Sequence, residues 1–246
     1  MNVGKKWKKL LAVGCSHGLY ADPKAIAAVL KFREAYKPDA CVHLGDFTDL
    51  SCFMASANLQ VQAEAPQPDV DGGLDFLEKL KPTLVFCGNH EDRLWRLQHS
   101  PNAIIAHAAY DIVKQIGATC HKLRAELVPY DGVFQQRQIG NVTLTHGTIY
   151  NENSPRDMAE MYGNVIFAHT HKVGAMKGRR VDCPTGYCVG TLTKKGALEY
   201  AKTRRSTLAW SQGFVWGFYH ESKTCGQSVL WLHEQPANQA EWILPL

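Results

Sequence analysis

The chain has 246 residues, with 27 Lys and Arg against 23 Asp and Glu, 45% apolar and 20% charged residues. That balance excludes a disordered chain or a collagen-like fibre, and the length suffices for a large domain with its own core. The net charge of +4 permits a phosphate-bearing partner without arguing for one, and no apolar run approaches the ~18 residues of a membrane span.

At the start, Lys5, Lys6, Lys8 and Lys9 precede Leu10-Leu11-Ala12-Val13, then Gly14-Cys15. The apolar stretch is shorter than the ~7–15 residues of a signal core, and Trp7 sits inside the charged part. A basic arm running into a buried first strand is the expectation, in a cytoplasmic chain. Pro23 to Tyr36 reads as a helix, with Pro23 in the first turn and Ile26, Val29, Leu30 and Phe32 at helical spacing. Ala40–Leu44 is a second strand. Ser51–Ala65 and Leu74–Leu80 read as helices separated by the loop Pro66-Gln67-Pro68-Asp69, and Thr83–Cys87 is a third strand. Helical patterns follow at Arg93–Gln98 and Ile104–Ile116, with residues 92–140 expected to form a helical cap. This alternation predicts an α/β core with parallel pairing.

The second half changes character. Val133–Ile139, Val142–Thr145, Val165–Ala168, Val173–Lys177, Thr207–Tyr219 and Ser228–His233 are rich in β-branched and aromatic residues and read as strands. Only Pro155–Met161 reads as helical between them. With no repeat and no linker, residues 1–246 are expected to form a single domain with two sheets. The eight cysteines are scattered and contain no CxxC pair, so they are expected to be reduced thiols; Cys183 and Cys188 are the closest two.

Five apolar runs end alike. Leu10–Val13 leads to Gly14-Cys15-Ser16-His17, Val42–Leu44 to Gly45-Asp46-Phe47-Thr48-Asp49, and Leu84–Cys87 to Gly88-Asn89-His90-Glu91-Asp92. Val142–Thr145 leads to His146-Gly147, and Val165–Ala168 to His169-Thr170-His171. Each buried run thus delivers metal-ligating or acid–base side chains just past its end, where ligands bind in open α/β sheets. One such histidine is ordinarily a polar loop residue; five runs placed alike are a signal as a set.

The set resembles the calcineurin-like metallophosphoesterase family, whose pattern is DxH, GDxxD, GNH with a following acid, H, and GHxH. The resemblance runs in the family's order from residue 15 to 171. Trp210-Ser211-Gln212-Gly213-Phe214 is also similar, more weakly, to the closing strands of phage-borne members. The reading is an α/β protein, a four-layer α-β-β-α sandwich of two mixed sheets with a dinuclear metal site at the strand ends.

Carried over residue by residue, the resemblance implies a first ion on Cys15, His17, Asp46 and His171. It implies a second on Asp46, Asn89, His146 and His169, with Asp46 bridging. His90 would be a general acid oriented by Asp49. Two such ions, about 3.5–4 Å apart, clamp a phosphate and lower the pKa of a shared water, giving the attacking hydroxide. An imidazole can then protonate the leaving oxygen near neutral pH. Asn89 and Arg93 are the candidate substrate contacts, although Arg93 could equally pair with Asp92 or Glu91.

Two positions depart from the family pattern. Ala168 stands for Gly, a small change. Cys15 stands for the first Asp; a thiolate keeps the negative charge but is softer than a carboxylate, which tilts the first site towards zinc or iron and away from magnesium, and two ions of manganese, zinc or iron are the expected cofactors. If Cys15 is only a buried small residue, the first site is weak. After Asp49 comes Leu50-Ser51, where the family's protein phosphatases carry Arg-Gly to grip a phosphomonoester. Losing that Arg costs a doubly charged monoester more than a singly charged diester.

The expectation is therefore a metal-dependent phosphodiesterase, with a phosphomonoesterase acting on nucleotides or small molecules as the alternative. A degenerate, non-catalytic binding module is a third reading. Lys177, Arg179, Arg180, Lys194, Lys195, Lys202, Arg204 and Arg205 cluster late and, with the N-terminal lysines, would suit nucleic acid; solvated loops and protected strand edges explain them equally.

Overall fold

A computed structural model describes residues 7–132, 135–198, 201, 205–221, 226–236, 239 and 241–245. The first half runs β1 (Lys8–Val13), α1 (Pro23–Tyr36), β2 (Ala40–His43), α2 (Leu59–Gln62), α3 (Gln67–Leu80), β3 (Leu84–Phe86), α4 (Asn89–Leu97), α5 (Ala103–Leu123) and β4 (Glu126–Val128). The second half runs β5 (Arg137–Ile139), β6 (Val142–Leu144), α6 (Ser154–Tyr162), β7 (Val165–Phe167), β8 (Val173–Lys177), β9 (Thr185–Val189), β10 (Gly213–His220) and β11 (Gln227–Glu234).

The strands form two mixed sheets, one ordered β11-β10-β1-β2-β3-β4 and the other β5-β6-β7-β9-β8. β1 to β4 are mutually parallel, as are β6, β7 and β9, while β10, β11, β5 and β8 pair antiparallel. Strand alternation assigns the faces. Leu10 and Ala12 of β1 join Val42, Phe86, Leu144 and Ile166 in the core between the sheets. Leu11 and Val13 turn outward onto Val29 and Phe32 of α1. Met158 and Ala159 of α6 cover the outer face of the second sheet through Val165 and Phe167. The layers are helix, sheet, sheet, helix, as expected.

Local chemistry sets the helix ends. Asp22 accepts from the Lys24 N–H and Pro23 occupies the first turn of α1. The predicted helix Ser51–Ala65 is corrected to a 3₁₀ turn at Ser51–Phe53 and the single turn α2. Its residues lie largely at the surface, and a short helix without a face to bury is marginal. The predicted loop Pro66–Asp69 is instead the entry and first turn of α3, where a proline is tolerated because its missing N–H has no intrahelical partner. α3 then buries Val70, Gly73, Leu77 and Leu80 at helical spacing.

The expected cap is also corrected. Of residues 92–140, α5 continues to Leu123 and buries Ile112, Ile116 and Cys120 beside Leu77 and Val85, in the outer helical layer. β4 returns to the first sheet. β4 and β9 were not predicted, since a three-residue run and a run containing Gly186 carry little pattern. The strand expected over Thr207–Tyr219 begins only at Gly213, after a 3₁₀ turn at Arg205–Ala209. Lys5, Lys6, Val133, Lys202, Arg204 and Cys225 lie outside the described residues. The described cysteines, Cys183 and Cys188 included, are free thiols. Among the described residues, no helix is long and apolar enough to cross a membrane.

Candidate metal centre and active site

The ends of β1, β2, β3, β6 and β7 converge at one edge of the sandwich. The backbone there turns sharply: Cys15, His17, Asp46, His169 and His171 all have left-handed φ between 51° and 66°. Such conformations are uncommon outside glycine and collect at functional sites. Gly45, at φ +97°, makes the turn possible, because a Cβ there would lie 2.6 Å from the Gly88 nitrogen and 2.7 Å from His146 Nδ1.

Three groups of donors result, of which one, His17, Asp49 and His90, shares His17 with the first of the two that follow. Cys15, His17, Asp46 and His171 each offer one ligand atom within 4.8 Å of the others, and so do Asp46, His146 and His169. Asp46 belongs to both. Asn89 adds its Oδ1 to the second group, 2.9 Å from His169 Nδ1 and 3.2 Å from His146 Nε2. Asn89 is the first residue of α4, so the turn after Gly88 delivers it to this edge. The structure brings the expected positions Cys15, His17, Asp46, Asn89, His146, His169 and His171 together at this edge.

Hydrogen bonds orient the rings. His17 Nδ1 lies 3.0 Å from Asp49 Oδ1, which turns Nε2 toward His171 Nε2, also 3.0 Å away. His146 Nδ1 donates to the Leu44 carbonyl at 2.7 Å, leaving Nε2 facing Asp46 Oδ2 at 3.3 Å. This is the arrangement by which an outer partner fixes a ligating histidine's tautomer. Cys15 Sγ accepts from the His169 N–H at 3.3 Å.

The electrostatics follow from burial. Burial opposes ionisation of Asp46, but His146, His90 and His17 outweigh it and hold the carboxyl well below the usual range. Burial, aided by the Asp46 charge, pushes the Cys15 thiol well up. Burial and neighbouring imidazoles push His171 well down and His169 down to about 4. His169 and His171 therefore offer neutral ring nitrogens beside one carboxylate and one thiol, whereas, against burial, Asp49 raises the pKa of His17 and Asp46 that of His146; among the described residues the buried His171 Nδ1 has no hydrogen-bond partner. That donor chemistry fits a divalent or transition metal.

Two carboxylates outside the ligand set hold its loops. Glu91, fully buried, accepts from the backbone N–H groups of Asp46, Thr48 and Gly88 at 2.8–2.9 Å and from Thr48 Oγ1 at 2.8 Å. Burial and the Asp46 charge push its pKa up to about 7. Asp69, in the first turn of α3, accepts from Leu19, Asp49 and Leu50 N–H groups at 3.0, 2.9 and 2.8 Å. Sequence reasoning quoted Glu91 only as the acid after the Asn-His pair and missed Asp69 entirely. Nothing local marks Asp69 except its place near a helix start.

His90 lies beside the two groups that share Asp46. Its backbone N–H donates to Asp46 Oδ1 at 3.1 Å, its Nδ1 bonds the Asp49 carbonyl, and its ring meets His17 edge-on at 4.8 Å between centroids. Burial lowers its pKa. Arg93 is placed differently from the expectation of a substrate contact. Its Nη1 donates to the carbonyls of Leu50 at 2.7 Å and Asp49 at 3.3 Å, and it lines a separate cleft with Phe53 and Arg96. Asp92 pairs with Arg96 instead.

A cavity of about 220 Å³ opens over Asp46, Asn89, His90, His169 and His171, with Tyr150 and Trp210 beside them. None of the described residues lining it is Lys or Arg. Of the late basic residues, Arg180 pairs with Asp182, while Lys177, Lys194 and Lys195 are exposed.

The family model for calcineurin-like phosphoesterases matches residues 8–173, which span all of these strand ends. The chain belongs to the calcineurin-like phosphoesterase family. Metal-dependent hydrolysis of phosphate esters is the chemistry for which the family is named, and the donor groups above could hold a metal ion. Among solved structures, the phosphoesterase is similar to a novel archaeal phosphodiesterase at 15% identity and TM-score 0.40, covering 91% of this chain and 99% of that one. It is similar to Yfce, a phosphoesterase from E. coli, at 17% identity and TM-score 0.38, covering 85% and 91%. It is also similar to Chaetomium thermophilum Vps29 at 11% identity and TM-score 0.40, covering 93% and 100%. No curated protein sequence matches the chain.

Proposed function

We propose that this phosphoesterase is a phosphodiesterase with two metal ions, one on Cys15, His17, Asp46 and His171 and one on Asp46, Asn89, His146 and His169. Bound there, the ions would polarise the phosphoryl oxygens and lower the pKa of a water. The protein's own groups do the rest. Asp46 supplies the carboxylate common to both donor groups. Cys15, whose thiol is held protonated by burial, would give up that proton on binding metal, and its soft sulfur would favour zinc or iron over magnesium. His90 lines the cavity with Nδ1 held by Asp49, so Nε2 is the atom that gives a proton to the leaving oxygen. The Asp46 and Asp49 charges favour the imidazolium against the cost of burial.

The observation that carries the diester reading is the cavity's lack of a cation among its described residues. Leu50, the position after Asp49, is buried and apolar, and Arg93 is turned to backbone carbonyls. Among the described residues a monoester dianion would meet no guanidinium there, whereas a diester monoanion needs less compensation. The test is kcat/KM for bis-p-nitrophenyl phosphate against p-nitrophenyl phosphate, with manganese or zinc supplied. The diester should be the better substrate; faster turnover of the monoester would replace this reading with a phosphatase.

A further inference from the structure

A second, larger cavity of about 330 Å³ adjoins the first, and Trp210 lines both. It is tied to the metal-centre loops: Thr191 Oγ1 donates to the Cys15 carbonyl at 2.7 Å, and the Ser211 N–H donates to the His171 carbonyl at 3.0 Å. Both Thr191 and Ser211 line this cavity, and the Trp210 ring packs edge-on to His171 at 4.2 Å between centroids. A group held here therefore sits next to the reacting phosphate's position.

The lining has the character of a site for a neutral heteroaromatic group. Two indoles, Trp210 and Trp242, contribute large flat apolar surface. The charges balance, Lys24 and Lys195 against Asp22 and Glu234, which argues against a second phosphate. A nucleobase carries no net charge and supplies a flat face that stacks on indole.

We propose that this second cavity is a subsite for the nucleoside portion of a nucleotide diester, whose phosphate lies in the first cavity. The inference rests on the phosphodiesterase reading and names its substrate class. The test compares thymidine 5′-(p-nitrophenyl phosphate) with methyl p-nitrophenyl phosphate, which share leaving group and charge and differ only in the group bound for this cavity. The wild type should favour the thymidine ester in kcat/KM by roughly 5- to 100-fold, the range of one base–aromatic stack. Trp242→Ala should collapse that ratio, and Trp242→Phe, which keeps an aromatic ring, should retain most of it.

A wild-type ratio within about twofold of one, well below a single stack, overturns the subsite, as does a ratio unmoved in Trp242→Ala. Because Trp242 also packs against Phe214, binding is measured separately on the intact wild type, through quenching of tryptophan fluorescence by thymidine. Saturable quenching supports the subsite and its absence rejects it. Hydrolysis of neither ester would reject the phosphodiesterase reading, and the thymidine titration would still decide the cavity.

Discussion

Replacing Asp69 by alanine removes the acceptor for three backbone N–H groups, those of Leu19, Asp49 and Leu50. A hydrogen bond to a charged group contributes about 1.5–3 kcal/mol, so the gross loss is roughly 5–9 kcal/mol. Two effects reduce it. Water can reach part of the loop once the side chain is gone, and the carboxylate no longer suffers the burial that raises its pKa. A net cost of about 3–5 kcal/mol remains, within the range of a broken buried network. For a chain of this size that lowers Tm by roughly 6–20 °C. Activity should fall too, because the same loop carries Asp49, which holds His17 and His90. Asp69→Asn keeps one acceptor oxygen but turns an amide toward the remaining donors, and should fall between wild type and alanine. Thermal melts, urea midpoints and metal content on the three proteins decide the matter. If Asp69→Ala lies within about 1 kcal/mol of wild type, below the cost of even one lost charged hydrogen bond, the clamp is not what holds this loop.

His90→Ala should lower kcat by roughly 10²–10⁴, the usual weight of a positioned acid. Metal content should stay near wild type, and the loss should be larger for an alkoxide leaving group than for p-nitrophenolate; equal losses with both would remove His90 as proton donor. Asp46→Asn should be the most damaging ligand change, since that carboxylate belongs to both donor groups, and full metal content by elemental analysis would falsify the assignment. Cys15→Asp should shift metal preference toward manganese or magnesium; a metal-loaded crystal structure with the wild-type sulfur beyond about 3 Å from any ion, against ~2.3 Å for zinc–thiolate, would exclude Cys15 as a ligand. His43, which packs against Phe47 and Phe76, has its pKa pushed down to about 3 by burial. Its contribution is fully present above the unfolded pKa near 6.5 and is lost as pH falls toward 3, at about 1.4 kcal/mol per unit. Urea midpoints of chelated wild type at pH 7 and pH 5 should therefore differ by about 2 kcal/mol more than those of His43→Leu; parallel shifts would show that His43 does not titrate this way.

The strand ends were legible because the signal there is local. A buried run followed by Gly and a ligating residue must turn sharply where it leaves the sheet, so Cys15, Asp46, Asn89, His146 and His169 could be read as one set from their places after β1, β2, β3, β6 and β7. The layered sandwich followed from the same alternation of strands and helices. Local pattern misled where packing decides. Pro66-Gln67-Pro68 looks like a helix breaker, yet it opens α3, because Val70 and Leu77 bury against the first sheet. The stretch after Ser51 has helical composition but no face to bury. Residues of α5 looked like a cap, yet pack with α3 on the outer layer.

The sequence by itself determined which side chains could bind metal and the order in which the strands present them. Only the tertiary structure decided what holds and surrounds them. Asp69 reaches the Asp49 loop from a helix 20 residues along the chain, Arg93 turns to the Leu50 carbonyl, and Trp210 arrives at His171 from beyond the second sheet. Those contacts join segments far apart in sequence, and they are set by how the layers pack. A ligand motif repeats in sequence because the backbone needs the same turn each time; a partner from another layer needs only to arrive, and leaves no local mark.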